Sequence, residues 1–68
     1  MNKSDFDKFS TIWVSASEIY NVSPSDGALT LSFQALRNYD IAEVQEAVFD
    51  FIATSQYPPK PSDIIGKL

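Results

Sequence analysis

The chain has 68 residues, 44% of them hydrophobic, and sets five Lys and Arg against nine Asp and Glu for a formal charge of −4. Cysteine and histidine are absent, which excludes a disulfide framework, a thiolate or imidazole metal site, and a serine–histidine or cysteine–histidine couple. The acidic balance argues against gripping nucleic acid by phosphate neutralisation, and so short a chain holds at most one marginally stable domain.

The opening residues, Met1 to Lys8, alternate charge and polarity and contain no apolar stretch of signal-peptide length. No uninterrupted apolar run approaches the ~20 residues that span a bilayer. A cytoplasmic protein with no membrane partner is the expectation.

Apolar spacing predicts a first helix over about 5–20. Ser4 is its expected N-cap, with Asp7 closing a weak capping box. Phe6, Phe9, Trp13, Ala16 and Tyr20 fall on one stripe, which Ile12 and Ile19 widen. A second helix is expected over 24–38, with Ser23 as N-cap and Pro24 at the first helical position, where a missing N–H costs nothing. Leu29, Phe33 and Leu36 line its inner face; Ala28 and Ala35 flank it, and Leu31 points away.

The third helix, over 41–54, has the clearest start. Asp40 and Glu43 form a D-x-x-E capping box, and Tyr39 and Val44 are placed for a hydrophobic staple. Ile41, Val44, Val48, Phe51 and Ile52 share one face; Glu43, Glu46 and Asp50 share the opposite one. Pro58, Pro59 and Pro61 then break the helix. Pro61 can open a last short helix over 61–67, docked through Ile64, Ile65 and Leu68. Short connections make the first three helices near-antiparallel neighbours. The expected fold is all-α: one domain over 1–68, a small three-helix bundle with a proline-rich turn and a short fourth C-terminal helix.

No constellation points to catalysis, a metal or a cofactor, and no enzyme is expected. The carboxylates of Glu43, Glu46 and Asp50 lie opposite the apolar face, where a solvated surface is the simplest reading and an acidic docking patch the functional one. Phe6, Phe9, Trp13 and Tyr20 would suit base stacking, but they occupy the only apolar face of the first helix and read as core. Ser4, Ser23 and Ser62 stand at helix starts, where capping explains them. Leu31, Phe49 and Val14 lie off the main stripes and would mark a contact patch if they cluster. Tyr57-Pro58-Pro59-Lys60 is either a polyproline ligand or a rigid brace with Tyr57 folded back on the bundle. The partner-binding candidates are thus Glu43, Glu46, Asp50, Tyr57, Pro58, Pro59, Lys60 and Leu31.

The order of these features resembles a known family. A Leu-x-x-Tyr-Asp segment (Leu36 to Asp40) precedes a helix reading Ile41-Ala42-Glu43-Val44-Gln45-Glu46-Ala47-Val48. An aromatic-Pro-Pro turn then leads to a Pro-x-Asp-Ile segment (Pro61 to Ile64). This is similar to the N-terminal helical domain of phage replicative-helicase loader/inhibitor proteins and related small replisome proteins. The chain departs from that pattern in two places. Lys60 stands where the family usually has a capping Thr, and Ser32-Phe33 stands where a Trp is common. Family members carry a flexible C-terminal tail implicated in the helicase contact, whereas this sequence ends at Leu68. That leaves either an excised domain or a short relative acting through its folded surface.

The resemblance implies a phage or prophage DNA-replication accessory protein in the bacterial cytoplasm, touching a replicative helicase or its initiator by protein contact, without direct nucleic-acid binding. The alternatives are an acidic phage-encoded inhibitor of a host nucleic-acid enzyme and a generic helical interaction module. A marginal core with stray apolar residues also allows a weak homodimer.

Overall fold

Helical structure begins at the second residue. Asn2 is extended, its Oδ1 accepts from the Ser4 N–H at 3.1 Å, and its own N–H donates to the Asp5 carboxylate at 3.0 Å. This reciprocal box starts a single 3-10 turn, Lys3–Asp5, so Asn2 takes the capping role expected of Ser4. The computed structural model describes residues 1–68, with helices α1 (Phe6–Glu18), α2 (Asp26–Ala35), α3 (Ile41–Thr54) and α4 (Pro61–Ile65) and no strand.

After Glu18 the chain closes in a Schellman motif. Asn21 has φ 61°; its N–H donates to the Glu18 carbonyl at 3.0 Å, and the Val22 N–H donates to the Ser17 carbonyl at 3.2 Å. Asn tolerates this left-handed position better than most residues.

α2 starts two residues later than expected. Ser25, not Ser23, is the N-cap, with its Oγ accepting from Ala28 N–H at 3.1 Å. Pro24 therefore stays outside the helix. α2 also stops earlier, at Ala35, where the Leu36 N–H is shared between the Ser32 and Phe33 carbonyls at 3.2 Å each. The Arg37 guanidinium then donates to the Gln34 carbonyl, as a cation at a helix C-terminus should.

α3 has the predicted limits, but no side-chain hydrogen bond is made by Asp40 at its cap. Half of the predicted start survives: Tyr39 is half-buried against the core and Val44 fully buried, as a staple requires. α4 is shorter than predicted, ending at Ile65. The Asp63 carboxylate accepts from Lys60 N–H at 3.3 Å, so this start is capped from inside the helix without the family's Thr.

Two long-range contacts set the helix directions. The Met1 ammonium donates to the Arg37 and Tyr39 carbonyls at 2.6 Å each, so α1 begins where α2 ends and α3 starts. The Tyr20 hydroxyl reaches the Ser55 carbonyl, so α1 and α3 also finish together. They run in the same sense, with α2 opposed. α1 packs on both α2 and α3, and α4 docks on α3.

The core gathers Phe9, Trp13 and Ala16 of α1, Leu29 of α2, Leu36 after it, Val44, Ala47 and Val48 of α3, and Ile64 of α4. Fully burying a side chain such as Phe9 or Leu36 contributes roughly 1.5–3 kcal/mol. An aromatic chain joins α1 to α2: Phe33 meets Phe6 edge-on at 5.1 Å and Phe9 at 5.4 Å, and Phe9 stacks on Trp13 at 5.3 Å. The radius of gyration, 10.7 Å, matches the value of about 11 Å for a folded chain of this length. No helix is long and apolar enough to cross a membrane.

Candidate functional site

The aromatics of α1 are structural. Phe9 and Trp13 are buried, Phe6 is half-buried in the aromatic chain, and Tyr20 is half-buried with its hydroxyl engaged. What faces outward lies elsewhere, chiefly on α3.

Glu43, Glu46 and Asp50 are all exposed. They line one surface depression with Ala47, Lys67 and Leu68. Glu46 and Asp50 also line a neighbouring one, about 480 Å³, with Ala42, Gln45 and Phe49. No group of three or more Asp and Glu is placed to hold a metal ion. The acidic face is therefore continuous, with Lys67 on one side and Phe49 on the other.

The proline segment divides. Pro59 is buried and Pro58 and Pro61 half-buried. Tyr57 is 73% exposed, so the fold-back expected of it is not made. The anchor is Pro59, because an Asx-like turn at Ser55 aims Tyr57 outward: Ser55 Oγ accepts from Tyr57 N–H and donates to its carbonyl. Lys60 is exposed. The segment is a brace whose first residue faces solvent.

Leu31, also 73% exposed on α2, lines none of the surface depressions that Phe49 lines. Val14 is half-buried against the core. The three off-stripe apolar residues thus do not form one patch.

Phe49 clusters with other residues instead. Ile12, Ser15, Ala16 and Ile19 of α1 and its C-terminal cap face Gln45, Val48, Phe49 and Ile52 of α3 across an open groove of about 180 Å³. Ile19 is 63% exposed and Phe49 69%. Periodicity assigns Ile12, Ile19 and Ile52 to the core and does not reveal the groove. The available signal is width: α1 and α3 each carry a broader apolar arc than one neighbouring helix covers.

The surface thus offers an apolar groove with an acidic margin, and the chain offers no constellation for chemistry. Comparison with curated proteins and with solved structures gives no match. A family model does match, that of the N-terminal domain of the phage gene 39 protein, over residues 1–65, which spans all four helices and the proline segment. The chain belongs to that family, the N-terminal domain of a phage helicase loader/inhibitor.

Proposed function

We infer that this chain is a phage or prophage DNA-replication accessory that acts in the bacterial cytoplasm by binding a replicative helicase or its initiator partner. The family match over residues 1–65 carries the reading. The surface supports it, because exposed apolar side chains beside carboxylates suit protein contact and repel a phosphate backbone. The family is not a catalytic one, and the chain works by occupying a surface of the partner.

The test is reconstitution from pure components. The chain is mixed with a bacterial replicative helicase hexamer, and separately with its initiator, and followed by analytical gel filtration and helicase ATPase rate. Co-elution with either protein is expected, with an altered ATPase rate where the helicase is the partner. Absence of a complex with both at high micromolar concentration overturns the reading.

The exposed run Glu43, Glu46 and Asp50 favours one second reading, an acidic inhibitor of a host nucleic-acid enzyme. It requires binding that collapses with added salt and is lost in the E43Q/E46Q/D50N variant. The helicase reading requires neither.

A further inference from the structure

The groove between α1 and α3 has a shape and a charge that specify its occupant. Its two walls run from Ile12 to Ile19 and from Gln45 to Ile52, a length of about 10 Å or two helical turns. Phe49 is shared between this groove and the depression that holds Glu46 and Asp50. No Lys or Arg lines either. The apolar floor therefore meets negative charge on its α3 side, with no cation of the chain's own to offset it.

We propose that this groove seats an amphipathic helix of the partner, two turns of whose apolar edge lie between Ile19 and Phe49, with Lys or Arg on the flank that meets Glu46 and Asp50. The proposal deepens the reading above and rests on it for the partner being a protein. Helix-in-groove recognition uses apolar anchors at i, i+3 or i+4, and i+7, and walls about two turns long accommodate that set. A second copy of this chain is the poorer occupant. A two-fold contact would bring the same patch against itself, setting Glu46 and Asp50 close to their own counterparts, where like charges repel.

The probe is a short helix-forming peptide of leucine and lysine, with leucine on one edge, alongside the same peptide with glutamate replacing lysine. Amide NMR shifts of the full chain report where each binds. The lysine peptide is expected to move resonances from Ile12 to Ile19 and from Gln45 to Ile52, with the glutamate peptide silent. Phe49 is an exposed side chain, so Phe49→Ala leaves the fold intact while weakening binding about 30-fold, the loss typical of a central aromatic anchor. E46Q/D50N weakens it several-fold and flattens its salt dependence. Equal binding of both peptides, shifts confined to other surfaces, or a dimer abolished by Phe49→Ala each overturn the proposal.

The same variants separate this proposal from the functional reading. A helicase or initiator complex that survives Phe49→Ala and E46Q/D50N unweakened overturns the groove and leaves the function standing. Peptide binding in the groove without any helicase or initiator complex does the reverse.

Discussion

The Tyr20 hydroxyl donates to the Ser55 carbonyl at 3.0 Å, joining the last residue before the turn out of α1 to the residue that ends α3. Ser55 is extended, with φ −102° and ψ 144°, so its carbonyl has left the helical ladder and needs an outside donor. Tyr20→Phe keeps the ring and removes that donor. A loss of about 1 kcal/mol is expected, read as a fall of roughly 4–8 °C in the thermal midpoint for a domain this small. An unchanged midpoint would mean that water serves the carbonyl equally well.

Asn21 tests the turn that follows. Its φ of 61° is open to Gly and hostile to branched side chains. Asn21→Gly is expected to be neutral or slightly stabilising. Asn21→Val should cost about 1–2 kcal/mol. Denaturant titration of the two variants orders them, and the reverse order would refute the strain argument.

Ser10 carries a buried hydroxyl with no hydrogen-bond partner. Such a group costs stability, of order 1–3 kcal/mol when fully desolvated. Serine also forms helix less readily than alanine. Ser10→Ala should therefore raise the thermal midpoint, an outcome opposite to that of most substitutions in so small a protein. A lower midpoint would show that the hydroxyl is solvated.

The Met1 ammonium sits between the Arg37 and Tyr39 carbonyls at 2.6 Å each. Hydrogen bonds from a charged donor contribute about 1.5–3 kcal/mol. Acetylating the amine removes its charge and two of its protons. A protein acetylated at Met1 should be less stable than the free-amine form by roughly that amount, and a C-terminal tag should leave stability unchanged. Paired chemical denaturation curves decide it.

Much of the fold is legible in the chain itself. α3 is readable to the residue because its apolar face, its Asp40 start and the prolines after it agree on one answer. α2 is readable only in outline, since Ser23-Pro24 and Ser25-Asp26 both look like helix starts. The choice between them is made by the Ala28 N–H, which bonds to Ser25 Oγ. Local pattern also cannot supply the Met1 and Tyr20 contacts, each of which joins residues more than thirty positions apart. At the candidate site, the exposure of Glu43, Glu46 and Asp50 follows from helical phase. The groove does not, because periodicity identifies which side chains share a face and says nothing of how much of that face a neighbour covers. Ile19, inward by its helical phase, lies outward for that reason. Tyr57 lies outward because the Ser55 turn, which no periodicity describes, aims it there.

α1 is the shared wall of the molecule. Its inner residues hold the aromatic chain to α2, and its side toward α3 forms half of the groove. A ligand held there cannot stay bound once α1 leaves the core, so occupancy and folding are one equilibrium. At a free ligand concentration of about 100 times Kd, the folded state gains roughly 2.7 kcal/mol by mass action. That is a large share of what a single small domain possesses. Unliganded chain would then spend more time open to proteases than liganded chain, and its lifetime in the cell would track the supply of its partner.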